Sequence, residues 1–313
     1  MTITQLKYVL AVSEYKNFTR AAEHVFVTQP TLSMQIQKLE EELNILIFDR
    51  SKKPIELTNV GKKIVSQARN IVNESERMQD VVDQEKGFIG GGFRLGIIPT
   101  IMPTLLPMFL KNFTSKYPKV ILKIEELTTT EIISKLKENH LDAAIAATPL
   151  LQEKIKERVL YFEPFVGYVP KSHRLNFKKK LDRTDLDISD ILLLEDGHCF
   201  RDNVANLCKN LKNNHIKDSF QLESGSFETL IKLSNECFGM TLLPYLNTLD
   251  ISEKEQKEYL RYFNEPSPAR EVSLLYKKSE LKMQIINALY DSISGVIRGA
   301  ITFQNIKVIS PLK

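Results

Sequence analysis

An α/β chain led by a helix-rich N-terminal unit and a long connecting helix is what the sequence predicts, on three observations. Residues 1–57 carry three short helical stripes followed by a basic, hairpin-like run; residues 58–86 carry one long amphipathic stripe; from Phe93 short apolar runs alternate with helical segments. With 313 residues, 42% hydrophobic and 26% charged, the chain can bury more than one core and lacks the composition of a disordered protein.

In the first helix Leu6, Val9, Leu10 and Ser13 keep one face. The second starts after Asn17, with Phe18, Ala21, Ala22 and Val25 inward; its small alanines let a third helix approach closely. Thr28 is a suitable N-cap for that third helix, Pro30 falls in its first turn, and Leu32, Ile36, Leu39 and Leu43 form its apolar stripe. Its other face carries Gln29, Thr31, Ser33, Gln35 and Lys38, donors and acceptors of the size that reaches base edges and phosphates from a major groove. A solvated outer face is the plainer reading of such a stripe taken alone. After Phe48 the run 49–57 reads as a wing, with Arg50, Lys52 and Lys53 placed for phosphate.

Across 58–86, Val60, Ile64, Ala68, Ile71, Val72, Ser75, Met78 and Val82 mark an amphipathic helix whose stripe needs a partner, and a second copy of the chain would serve. Gly90, Gly91 and Gly92 then break the pattern and read as a hinge; they lack the lysine and spacing of a phosphate-binding loop. Beyond them, strands are expected at 93–98, 120–125, 143–147, 164–169, 191–194, 240–243 and 272–276, and helices at 103–113, 130–138, 227–236 and 280–297. Such wiring suits two small sheets with a cleft between them, where ligands settle beyond strand ends and at helix N-termini. Thr100 and Thr129 fall at such ends, although helix capping also explains a threonine there.

Cys199 sits at the mouth of a helical pattern that runs from Asp202 through Val204, Leu207, Cys208 and Leu211, and Cys208 lies inside it, facing a core. Nine helical steps span roughly 13 Å, whereas a disulfide needs its Cα atoms within about 7 Å, so a bond between the two requires the segment to unwind. Inert core thiols and a redox trigger both remain open on spacing alone. The third cysteine, Cys237, reads as a packed apolar residue at a helix end. Three cysteines argue against a structural disulfide framework, and their spacing with His198 fits no metal-binding pattern. No apolar run reaches membrane-spanning length and no secretory pattern opens the chain, so it is expected in the cytoplasm, away from membranes. A net charge of +4 neither requires nor excludes nucleic acid. No nucleotide fingerprint, carboxylate pair or nucleophile elbow points to an enzyme, and no cofactor is expected.

Phe18-Thr19-Arg20-Ala21-Ala22-Glu23, followed by Val27-Thr28-Gln29-Pro30-Thr31-Leu32-Ser33 and Ile36-Gln37-Lys38-Leu39-Glu40, closely resembles the winged helix-turn-helix of LysR-type transcriptional regulators. The later region is similar to the two-lobed, periplasmic-binding-protein-like effector domain of that family. The resemblance implies a winged helix-turn-helix over 1–58, a linker and dimerisation helix over 59–88, and a hinge over 89–92. It implies one effector lobe from 93–161 and 266–300, a second from 162–265 holding the cysteines, and a tail over 301–313.

Gly197-His198-Cys199, Arg201-Asp202 and Cys208, with Ile98-Pro99-Thr100, Thr129, the run 227–230 and the run 239–244, are similar to the hydrogen-peroxide sensors of the family. That likeness implies an oxidative-stress activator in which Cys199 reacts with peroxide and Cys208 resolves it as a disulfide. Thr100, Thr129 and His198 would line the peroxide site, with Asp202 and Arg270 as supporting polar groups. Where such relatives can carry a histidine, this chain has Ser219 before Phe220. Implied partners are double-stranded DNA, hydrogen peroxide, further copies of the chain as homodimer or homotetramer, and a thiol reductant of glutaredoxin or thioredoxin type; RNA polymerase is a further candidate. On the residues themselves Cys199 needs a lowered pKa or a route for its proton, and nearby Arg201 is an expected source of positive potential. The competing readings are a regulator sensing a metabolite in the cleft with both cysteines unused, and a thiol peroxidase, which the DNA-binding head argues against.

Overall fold

The computed structural model describes residues 1–85, 89–208, 224–301 and 305–312, and for residues 76, 79, 80 and 83–85 the backbone alone. The chain divides into two compact units, 1–86 and 87–313.

The first unit runs α1 (Ile3–Tyr15), α2 (Phe18–His24), α3 (Gln29–Leu43), β1 (Phe48–Asp49), β2 (Glu56–Leu57) and α4 (Asn59–Glu85). Its helices begin where local chemistry supplies caps. Thr2 and Gln5 form a capping box, Asn17 Oδ1 accepts from the amides of Thr19 and Arg20, and Thr28 Oγ1 accepts from the Thr31 amide. Leu6, Val9, Val12, Ala21, Ala22, Leu32, Ile36 and Leu39 are all but fully buried together. Each large aliphatic among them contributes roughly 1.5–3 kcal/mol of burial. Glu40, 4% exposed, ties the wing to this core, because Oε1 accepts from the amides of Ile47 (2.7 Å) and Phe48 (3.2 Å).

The long helix departs from expectation in one respect. Its Val65, Ala68 and Val72 enter the core of the first unit, so the stripe is not wholly reserved for another copy. Ile71, Met78, Val81 and Val82 remain exposed.

The second unit runs β3 (Gly91–Ile97), α5 (Met102–Lys116), β4 (Val120–Glu126), α6 (Thr129–Lys137), β5 (Ala143–Thr148), β6 (Ile155–Tyr168), β7 (Lys180–Leu181), β8 (Ile191–Leu192) and α7 (Cys199–Leu207). It continues with α8 (Phe227–Asn235), β9 (Met240–Pro244), α9 (Tyr245–Thr248), α10 (Glu253–Tyr259), β10 (Leu260–Phe263), β11 (Ser267–Lys277), α11 (Met283–Ala300) and β12 (Ile306–Val308). Strand order is β4-β3-β5-β11-β6-β10-β7, with β9 on β6, β8 on β9 and β12 on β11. The long strand β6 runs through both halves of the sheet, pairing antiparallel with β11 in one and with β9 and β10 in the other. On one half, β3, β5, α5, α6 and α11 enclose a cluster around Leu95, Ile97, Phe109, Ile145, Leu274 and Leu289. On the other, Phe165, Val166, Leu181, Phe200, Leu207 and Leu243 form a second cluster. Two lobes that share β6 are the α/β architecture expected.

Several boundaries move. Gly91 and Gly92, expected in a hinge, pair with Val120 and Ile121 as the first residues of β3, since glycine retains the backbone groups a ladder needs. The strands β6 and β11 are longer than their apolar cores at 164–169 and 272–276, because charged residues such as Lys156, Glu157 and Arg158 still pair in register with Tyr276, Leu275 and Leu274. The helix expected from Asp202 starts at Cys199 and stops at Leu207. Its expected continuation to Leu211, and the Ser219–Phe220 position, lie outside the described residues.

Candidate functional site

The helix α7 begins at Cys199, with His198 as N-cap residue and Cys208 immediately after its last turn. Cys199 packs against the cluster of the first lobe, whereas Phe200, Val204, Leu207 and Cys208 belong to the cluster of the second. One short helix thus spans both cores with a thiol at each end. Phe200 anchors it, packing against Phe165 (centroids 5.3 Å) and edge-on to Phe227 (5.0 Å).

Thr129 Oγ1 and Cys199 Sγ share a hydrogen bond of 2.9 Å. Thr129 is free to make it because Thr128 performs the capping of α6, in a box with Glu131. Thr100 is likewise not a cap: α5 is preceded by Ile101 and has no side-chain cap bond. Instead Arg270 Nη1 donates to Thr100 Oγ1 (2.9 Å) and Nη2 to the Thr100 carbonyl (3.1 Å). The capping alternative therefore fails for both threonines.

Arg270 is 1% exposed and is neutralised by Glu163, also 1% exposed, which accepts from Nε (2.9 Å) and Nη2 (2.7 Å). The pairing follows from register, since the two residues face each other across β11 and β6. The other Glu163 oxygen accepts from the Leu246 amide at 2.9 Å. The guanidinium carbon also lies 5.3 Å from the centroid of the Phe200 ring. Beside this pair Tyr161 is buried, its hydroxyl without a hydrogen-bond partner among the described residues. Burial first, then the Glu163 carboxylate, hold its pKa well above the usual phenol range.

The Cys199 thiol is pushed above its ordinary value, chiefly by burial and further by the Asp202 carboxylate; the Thr129 hydrogen bond and the Arg270 charge oppose this. Among the described residues Arg270 is accordingly the cation acting on the sulfur. Arg201, expected in that role, donates from Nη1 to the Leu194 carbonyl (3.0 Å) and pairs with Asp196 (2.9 Å). His198 is buried, yet its ring Nε2 faces Glu195 Oε1 at 3.4 Å. Gly225 makes room for that arrangement, since a methyl there would come within 3.0 Å of His198 Nε2.

Cys208 is 4% exposed, and burial, with Asp187 and Asp190 adding to it, pushes its thiol up to about 12. Cys237 is exposed, not packed, because the chain leaves α8 through it at a positive φ of 64°. Glu163, Asn203 and Gly225 were not legible as site residues in sequence; only the pairing of Glu163 with Arg270 on an opposing strand gives that glutamate its meaning.

On the first unit Gln29, Pro30, Thr31 and Lys38 are exposed on α3, while Ser33 and Gln35 are half-buried. Gln35 Oε1 accepts from Gln5 Nε2 at 3.3 Å, so that amide also braces α3 against α1. Arg50, exposed, donates to Glu40 Oε2 (2.9 Å) and to Ser33 Oγ (3.4 Å), and its guanidinium lies 5.1 Å from the centroid of the Phe18 ring. Lys52 donates to Glu56 Oε2 at 2.6 Å, and Lys53 is exposed beside Pro54.

Comparison with known proteins agrees with this division. Residues 3–62 match the model of the bacterial regulatory helix-turn-helix protein, lysR family, and residues 87–297 match that of the LysR substrate binding domain. A hydrogen peroxide-inducible genes activator of Haemophilus influenzae is 30% identical over 303 residues, covering 96% of this chain and 99% of that protein. The DNA-binding transcriptional dual regulator OxyR of Escherichia coli is 29% identical, covering 95% of each. Among solved structures, a full-length OxyR variant from Pseudomonas aeruginosa superposes with a TM-score of 0.74 at 32% identity, covering 94% of this chain and 98% of that one. A peroxide-bound OxyR variant from Corynebacterium glutamicum gives 0.64 at 26% identity, covering 98% of each.

Proposed function

The chain belongs to the LysR family of DNA-binding transcriptional regulators and is not an enzyme, and on that premise we propose that its second unit senses hydrogen peroxide through Cys199. The observation that carries this reading is the half-buried Cys199 thiol bonded to Thr129, with Arg270, whose charge acts on the sulfur, also bonded to Thr100, and Cys208 a helix away.

Because burial keeps Cys199 protonated, attack on peroxide must move a proton as well as an oxygen. The sulfur attacks one peroxide oxygen and the O–O bond breaks. Thr129 takes the thiol proton and passes its own to the departing hydroxyl, so one sulfenic acid and one water result. Thr100, oriented by Arg270, offers a second hydroxyl for holding a molecule with two oxygens. Asp202 and His198 frame the start of the helix.

Cys208 then attacks the sulfenic sulfur: an S–S bond forms and hydroxide leaves, taking up the proton released by the Cys208 thiol as water. With the eight helical steps of α7, about 1.5 Å each, and the extended backbone of Cys208 between the thiols, the disulfide can form only when α7 unwinds. The rearranged lobe would alter how copies of the chain assemble, as dimer or tetramer, and hence how their α3 helices meet a two-fold operator and RNA polymerase. A cytoplasmic dithiol of glutaredoxin or thioredoxin type returns both thiols by exchange. On the first unit, Gln29, Pro30, Thr31, Ser33, Gln35 and Lys38 face the DNA groove, with Arg50, Lys52 and Lys53 on its phosphates.

Mass spectrometry of the 199–208 segment after brief peroxide tests the reading. Wild type should yield an internal disulfide, Cys208→Ser a trapped sulfenate and Cys199→Ser neither; a wild-type protein with both thiols intact overturns it.

A further inference from the structure

The outer face of α7 is tied to a distant piece of chain. Asn203, fully buried, donates from Nδ2 to the Ile309 carbonyl at 2.7 Å. Asn206, one turn on, donates from Nδ2 to the carbonyls of Ser310 (3.0 Å) and Leu312 (3.2 Å). The accepting segment is itself anchored. The strand β12 lies parallel to the start of β11, with Ile306 opposite Ser267 and Val308 opposite Ala269, and the Ile309 amide donates to the Ala269 carbonyl at 2.8 Å. The Ile309 side chain, 6% exposed, packs in the same cluster as Val204, Leu207 and Cys208. Residues 305–312 thus form a strap from α7 to the strand that carries Arg270. From the other side Arg183 Nε donates to the Leu207 carbonyl at 2.7 Å, meeting the free carbonyl end of the helix.

A nine-residue helix is marginal on its own, so its persistence depends on such tertiary ties. A buried amide is also an expensive choice where leucine would pack, unless its hydrogen bond is needed. Asn203 Oδ1 has no hydrogen-bond partner among the described residues, so the 2.7 Å bond from Nδ2 to the strap is the contact that this buried amide makes there.

We infer that Asn203 and Asn206 are positioning residues: through the strap 305–312 they keep α7 folded and Cys208 in its core, setting how fast Cys208 becomes available. Resting on the peroxide reading, the inference adds that they govern closure of the disulfide while leaving the oxidation of Cys199 unchanged.

Alkylation of Cys208 by iodoacetamide, in full-length protein carrying Cys199→Ser and Cys237→Ser, reports its release without any peroxide chemistry. Asn206→Ala, which removes two hydrogen bonds, should accelerate labelling roughly 5- to 30-fold. Asn206→Asp, of the same shape without the donor, should act in the same direction, and Ile309→Ala should do so from the strap. With the native cysteines restored, Asn206→Ala should speed disulfide closure by a similar factor, while sulfenate formation at Cys199, read in the Cys208→Ser background, keeps its wild-type rate. Unchanged alkylation in both Asn206→Ala and Ile309→Ala overturns the inference, as does an equal change in Cys199 oxidation, which a general loosening of the lobe would produce. A wild-type protein that labels as expected in these variants yet never forms the disulfide would overturn the peroxide reading and leave the strap standing.

Discussion

Thr129 Oγ1 lies 2.9 Å from Cys199 Sγ, and it can do so because Thr128, not Thr129, caps α6. A second threonine directly after the cap places a hydroxyl on the helix end facing the other lobe, where α7 begins. The hydroxyl can accept from a thiol or donate to a thiolate, so the contact persists through deprotonation.

Removing that hydroxyl should separate its chemistry from its bulk. Thr129→Val keeps the shape and loses the proton path, and sulfenate formation in the Cys208→Ser background should slow roughly 10²-fold. Thr129→Ser should retain most of the rate. Stopped-flow oxidation at several peroxide concentrations decides it; equal rates for Val and wild type would remove Thr129 from the mechanism.

The charges around Cys199 fix the sign of a pH experiment. Burial and Asp202 raise the thiol pKa, so at neutral pH only a small fraction is thiolate and alkylation should climb about tenfold per pH unit without levelling in the ordinary thiol range. Asp202→Asn removes a charge that opposes ionisation and should speed alkylation of Cys199 at pH 7.5. A slower reaction in that variant would mean that the carboxylate acts on the sulfur in the opposite sense.

The buried pair Arg270 and Glu163 makes a stability prediction. Glu163→Ala strands a guanidinium at 1% exposure and should cost roughly 3–5 kcal/mol in urea unfolding. Glu163→Leu with Arg270→Met should regain much of that loss but not peroxide reactivity, since nothing then orients Thr100. Restored reactivity in the double variant would make the pair purely structural.

What sequence made legible was local. The cap at Thr28, the helix start after Asn17 and the stripes of α1 to α3 are decided within a few residues, so those elements fall where expected. The thiols of α7 stood out by spacing, and Thr100, Thr129 and Arg270 came from family likeness. Glu163 stayed hidden because its role exists only in the register of β6 against β11, 107 residues apart in the chain. The same holds for Asn203, whose carbonyl partner lies 106 residues away. Arg201 misled for the converse reason: adjacency in sequence put it near Cys199, but the first turn of α7 carries it to Asp196.

On the DNA-binding unit, the basic residues of the wing should behave differently from one another. Lys53→Ala should weaken binding about equally on all sequences and lower the salt slope by about 1 if Lys53 meets a phosphate. Arg50 also holds the Glu40 carboxylate, so Arg50→Ala should cost roughly 1 kcal/mol of stability in addition to affinity. Binding titrations across salt, paired with urea unfolding, separate the two; a stability loss in Lys53→Ala alone would reverse the assignment.

Cys208 provides a test of folding at alkaline pH. In the fold burial, with Asp187 and Asp190 adding to it, pushes its thiol up to about 12, against roughly 8.5 in an unfolded chain. The neutral form is the one that the core accepts, so its contribution is fully present below the unfolded value and is lost as pH rises toward the folded one. Between those limits unfolding stability should fall by about 1.4 kcal/mol per pH unit from this group alone, a slope that Cys208→Ser abolishes. Urea unfolding of both proteins at pH 7.5, 9.5 and 10.5 under reducing conditions gives the difference, with tyrosine and lysine titration common to the two. Parallel curves would mean that Cys208 meets solvent in the folded state, and α7 would then present no barrier to its arrival at Cys199.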